Sequence, residues 1–193
     1  LINNTTALTS TASTNTNGTA VTVYAGETAT LPAETMSTGT LANYTTSLSC
    51  DNGVTPSGAN GQSSNTVSIS NTVSGLITCT YTNTRKSATL RLAKAWGANS
   101  ISGNVANIGA TTGGTNNTTA FTSTASTATN SATVTVYAGD TLTLPAETMS
   151  TGTLANYTTT LSCDNGVTPS GSNGQSSNTI SIPNTFSGLI TCT

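Results

Sequence analysis

Displaced by 113 residues, the chain falls onto itself, with residues 1–80 matching residues 114–193 at 66 of 80 positions. The runs VTVYAG (21–26, 134–139), LPAETMSTGTLANYTT (31–46, 144–159) and CDNGVTPSG (50–58, 163–171) are identical in both copies. The differences are mild, as in Glu27 to Asp140, Val67 to Ile180, Leu8 to Phe121 and Ser70 to Pro183. A repeat this long and this faithful is a tandem array of one domain, not a solenoid of small units. The chain opens inside one copy at LINNTT and stops at Thr193, the counterpart of Thr80, where a second YTNTRK would follow. The expectation is a window on a longer array, with a leader upstream of it. A polymer that exchanges terminal strands between subunits is the alternative.

The residue types say what one copy folds into. Only 5% of the 193 residues are charged and none is histidine, against about 25% charged in an ordinary globular domain. Threonine makes up close to a quarter of the chain. It is a good strand former, and its γ-methyl packs on a pleated surface. Strong helix formers are scarce, so the reading is all-β. A net charge of −2, with four basic residues in one cluster, cannot track a phosphate backbone. No run approaches the ~20 apolar residues of a membrane span.

The basic cluster (Arg85, Lys86, Arg91, Lys94) marks the joint between copies. Ile77, Cys79 and Tyr81 alternate with threonines before it. After it, Leu90, Leu92, Lys94 and Trp96 share one face, opposite Arg91, Ala93 and Ala95. This is the period of two half-buried strands, and no hairpin dipeptide joins them. The last strand of one domain hands over to the first strand of the next, with little slack at Thr84–Ser87. The predicted domains are 1–86, without its first strand, and 87–193, with its last strand cut short. Within 87–193, strands are predicted near 88–96, 117–124, 131–137, 140–144, 154–163, 178–182 and 187–193. Turns fall between them, at Asn165-Gly166 for example. About seven short antiparallel strands in just over 100 residues make a two-sheet sandwich.

Each copy holds two cysteines at one spacing, Cys50 with Cys79 and Cys163 with Cys192. Two thiolates and no histidine cannot complete a tetrahedral metal site. The reading is one disulfide per domain and an oxidising, extracellular setting.

The run ITCTYTNTRKSATLRLAKAW (77–96) resembles the junction between tandem prealbumin-like domains of bacterial surface proteins, the Cna-B-type and SpaA-like pilin modules. Lys94 and Trp96 match the lysine and tryptophan of their first strand. Cys79 to Arg85 looks closest to Gram-negative relatives with C-T-F-T-N-T-R at this point. The resemblance implies a β-sandwich of prealbumin or immunoglobulin-like type. In the Cna-B type that lysine forms an isopeptide bond to a last-strand asparagine, promoted by a buried glutamate. Cys79 occupies the asparagine position here, and rough alignment puts the promoting acid near Cys50. The disulfide is therefore expected to replace the isopeptide bond. Lys94, on an apolar face, needs a partner or a route to water. The candidates are a carboxylate such as Glu147, an isopeptide bond to the counterpart of Asn83, or snorkelling to solvent.

Catalysis is nearly excluded by inventory. With no histidine and only Glu27, Glu34, Asp51, Asp140, Glu147 and Asp164 as acids, no nucleophile has an evident base. Asp51-Asn52-Gly53 and Asp164-Asn165-Gly166 lack the ligand density of a calcium loop and read as turns with positive φ. The threonine-rich stretch 115–129 is too irregular for an ice-binding face. The sequons at Asn43 and Asn156 are expected by chance in so Thr- and Asn-rich a chain. No metal or cofactor is expected. The functional expectation is a non-enzymatic repeat segment of an extracellular bacterial fibre, stalk or surface appendage that self-associates through neutral faces and edge strands. The rival is a multivalent adhesin that binds a glycan or host protein through the loop 164–177, which follows Cys163, with Asp164, Asn165 and Asn173 as candidate contacts.

Overall fold

The computed structural model describes residues 4–193; residues 1–3 lie outside the described residues. Contacts divide the chain into a first unit of residues 1–41 and 45–84 and a second of residues 42–44 and 85–193. The strands lying in the first unit, wholly or but for one end residue, are β1 (Thr28–Leu31), β2 (Tyr44–Cys50), β3 (Asn65–Ser68) and β4 (Cys79–Arg85). β1 pairs antiparallel with β3, and β2 pairs with β4.

The second unit carries β5 (Ser87–Lys94), β6 (Val105–Ile108), β7 (Phe121–Thr124), β8 (Thr129–Asn130), β9 (Val134–Tyr137), β10 (Thr141–Leu144), β11 (Thr148–Thr151), β12 (Asn178–Ser181) and β13 (Leu189–Cys192). β5 is its central strand. It runs parallel to β13 on one side and antiparallel to β8 and β9 on the other. The β10–β12 pair and the β11–β6–β7 sheet complete the unit. The alternation works as the residue types demand. Leu142 and Leu144 of β10 point into the core while Thr141 and Thr143 face outward or stay half-buried. Ala88, Leu90 and Leu92 of β5 meet Val136, Leu142, Ile180, Ile190 and Cys192 in one apolar cluster. The Asn-Gly pairs take up the positive φ that their turn requires: 52° and 73° at Asn52-Gly53, 54° and 77° at Asn165-Gly166.

Three parts of the second unit differ from the predicted strands. Residues 154–163 form no strand. They hold a 3₁₀ turn at Leu154–Asn156 and a lone bridge from Cys163 to Cys192. The first-unit counterpart, β2, has the whole of β4 to pair with, whereas here Ser162 reaches only Thr193. β6 and β11 were not predicted. β6 buries an alanine, Ala106, instead of a large apolar residue. β11 is an exposed edge with a register irregularity between Met149 and Thr151. Neither shows apolar alternation.

Asp140, where the first copy has Glu27, anchors the turn after β9. Burial alone would raise its pKa. The Arg85 guanidinium at 2.6 Å outweighs this, with backbone N–H groups of Thr115 and Tyr137, and holds the carboxyl below its ordinary value. Arg85 also donates to the Ala138 carbonyl at 2.9 Å and lies over the Tyr137 ring.

Candidate cross-link site

Each unit ends in a stapled strand. Cys50, the last residue of β2, is bonded to Cys79, the first of β4, and Cys163 is bonded to Cys192 at the end of β13. The two residues after the first cysteine clamp the same strand. Asp164 accepts the Thr191 N–H at 2.7 Å and returns its own N–H to the Thr191 carbonyl at 3.1 Å. Asn165 donates its side-chain amide to Leu189 O at 2.7 Å. Asp51 makes the same two bonds to Thr78, and Asn52 bonds Leu76 O. Asn173 accepts from the Thr159 hydroxyl and the Gln175 N–H, both at 2.9 Å. The polar groups of Asp164, Asn165 and Asn173 are thus engaged in shaping the loop and holding the terminal strand.

Lys94 leaves β5 on the face of Leu90 and Leu92. Its Nζ lies 2.7 Å from Glu147 Oε1, with the lysine side chain 15% and the glutamate 7% exposed. The ammonium also sits 4.8 Å from the centre of the Trp96 ring. Trp96 is fixed by a hydrogen bond from its indole N–H to Ser123 at 3.0 Å and by edge contact with Tyr157 at 5.6 Å. Glu147 is placed by its backbone N–H, which donates to Gly174 O at 2.7 Å.

The first unit holds the equivalent acid with a different partner. Glu34 donates its backbone N–H to Gly61 O at 2.8 Å, repeating the bond at Glu147. Its Oε1 accepts the side-chain amide of Asn83 at 2.5 Å. Its Oε2 is buried and is the one such side-chain oxygen or nitrogen without a partner among the described residues. Tyr81 donates to Pro32 O at 2.7 Å, and burial first, then the Glu34 charge, raises its pKa.

Lys94 and Asn83 are therefore each bound to the acid of their own unit. The carboxylates they bind are Glu147 and Glu34, both within the run PAET, whereas rough alignment with the Cna-B type points near Cys50. Cys50 is committed to the staple. The signal for the acid was present in the sequence: PAET is identical in both copies of a chain with only six carboxylates. Its pairing with β5 and β4 was not, since it depends on which strands meet.

A SpaA-type prealbumin-like fold domain matches residues 1–85 and again 92–193. The chain belongs to this family. Its two matched segments, all-β units and internal disulfides make it a tandem of SpaA-type prealbumin-like sandwich domains. No curated protein and no solved structure matches the chain. Among the described residues no helix is long and apolar enough to cross a membrane, and no group of three or more His, Cys, Asp or Glu could hold a metal.

Proposed function

We propose that this SpaA-type tandem is a load-bearing segment of a long extracellular bacterial fibre, stalk or surface appendage, mechanical and not catalytic in role. The observation that carries the reading is the staple repeated at one position in both units, each closing 29 residues of separation. A tensile load on the terminal strand is passed to its neighbour through a covalent bond instead of through hydrogen bonds alone. The nearly uncharged, hydroxyl-rich surface lets neighbouring fibres pack without like-charge repulsion. Single-molecule stretching tests this. With the bridges intact, the segment inside each staple stays locked. On reduction each unit should gain about 100 Å of contour length, the extended span of that segment. Equal lengths with and without reductant would remove the mechanical reading.

The lysine, glutamate and asparagine form a second cross-link in any repeat that holds all three. Shifted by the repeat, Glu34–Asn83 and Lys94–Glu147 are two halves of one triad. The deprotonated lysine Nζ attacks the asparagine Cγ, the glutamate relays the proton to the departing amide nitrogen, and ammonia leaves. A chain extended beyond Thr193 by Tyr-Thr-Asn-Thr-Arg, the counterpart of Tyr81–Arg85, should lose the mass of one ammonia. The loss should vanish with Glu147→Gln. An unchanged mass would leave Lys94 as an ion-paired lysine only.

A further inference from the structure

The joint between the copies is the one place where a protease of a common specificity can cut this sequence. The 193 residues hold four basic side chains, Arg85, Lys86, Arg91 and Lys94. An endopeptidase of the trypsin type, whose specificity pocket carries a carboxylate, cleaves after lysine or arginine and has no other target here. Cleavage makes two demands. The basic side chain must enter the pocket, and the main chain beside it must leave its own hydrogen bonds by local opening.

The second unit opposes both. Arg85 ends β4 but belongs to that unit. Its guanidinium lies 2.6 Å from Asp140 Oδ1, in a side chain only 9% exposed, and donates to Ala138 O at 2.9 Å. Asp140 is held in turn by the N–H groups of Thr115 and Tyr137. It therefore stands where the carboxylate of a protease pocket would have to stand. Lys86 is the one residue between β4 and β5, and both of its main-chain groups are engaged. Its N–H, part of the Arg85–Lys86 peptide bond, donates to Asn43 O at 2.9 Å. Its carbonyl accepts the Ala138 N–H at 2.9 Å. Asn43, like Arg85, is part of the second unit. Farther along, Arg91 pairs in register with Thr191 of β13 and donates to its hydroxyl at 3.2 Å. Lys94 is held by Glu147.

The acid at the turn is kept in both copies, though not its length. Glu27 accepts the Tyr24 N–H at 2.9 Å, as Asp140 accepts that of Tyr137 at 3.3 Å. A carboxylate of either length closes the turn, and the grip on Arg85 is a further use of it.

We infer that the Arg85–Asp140 pair is a lock that shields the joint against endopeptidases specific for basic side chains. While it is closed, the run of cleavable bonds stays folded into the second unit. This goes beyond the mechanical reading and does not depend on it.

The test treats the full, non-reduced chain with trypsin at neutral pH and reads the products by intact mass. The native chain should persist. Asp140→Asn, which keeps the size of the side chain and removes its charge, should be cut into two halves after Arg85 or Lys86. That cut should be roughly ten- to hundredfold faster, the effect on local opening of losing a hydrogen bond between charged groups. Asp140→Glu should stay close to the native rate. Thermolysin, which cuts beside apolar residues, should act equally on the native chain and Asp140→Asn, because the opening is confined to the joint. Equal tryptic rates for those two proteins would overturn the inference. So would a first cut of the native chain inside β5, after Arg91 or Lys94, or an acceleration of Asp140→Asn by both enzymes.

Discussion

Replacing Cys163 and Cys192 together by alanine is expected to lower the stability of the second unit by about 3.5 kcal/mol, the chain-entropy value for a loop of this size. The separation is 29 residues, and the unfolded chain regains the freedom that the bridge withheld. For a domain of roughly 100 residues this corresponds to a melting temperature lower by about 15–20 °C. Cys192 is 1% exposed, so loss of its sulfur adds a small packing defect in the same direction. Calorimetry with and without reductant makes the check internal: reductant should lower the melting temperature of the native chain and leave the double variant unmoved. A fall of less than about 3 °C would mean that the staple is not what holds the terminal strand.

Breaking the Lys94–Glu147 pair from one side is the other large effect. Both groups are mostly out of water, at 15% and 7% exposure. Glu147→Leu would leave an ammonium on an apolar face with only the Trp96 ring as partner. The expected cost is about 3 kcal/mol, at the lower end for an orphaned buried charge because lysine can still reach toward solvent. Lys94→Met, which strands the more buried carboxylate, should cost at least as much. The double replacement should return close to the native value, since apolar groups of similar volume fill the same space without desolvated charge. Urea unfolding of the four proteins gives the coupling directly. Additive losses would show that the two groups do not act as a pair. Restoration would show that the pair adds little net stability. Its retention would then rest on what the lysine and carboxylate do together, which fits the cross-linking chemistry proposed for a repeat that also holds the asparagine.

What the linear order of residues determined by itself is local or near-local. The threonine-rich alternation gave all-β units because strand periodicity is a property of neighbouring residues. The positive-φ turns at Asn52-Gly53 and Asn165-Gly166 follow from two residues each. The disulfides of the family's tandem units join cysteines of one spacing in an otherwise nearly repeated sequence.

The tertiary structure decided the rest. VTVYAG is identical in both copies, yet it contains β9 in the second unit, against β5, and no strand in the first. The segment from Tyr44 to Cys50 is a strand against β4. Its near-identical counterpart at 157–163 is not, its pairing with the last strand being limited to the Ser162–Thr193 bonds and the Cys163–Cys192 bridge. The same holds for the acids: Glu34 and Glu147 sit in one identical run and bind an asparagine in one unit and a lysine in the other. A strand exists only when another strand takes up its N–H and C=O groups, and a buried carboxylate rests on whichever donor that strand brings. Neither partner is written in the segment itself.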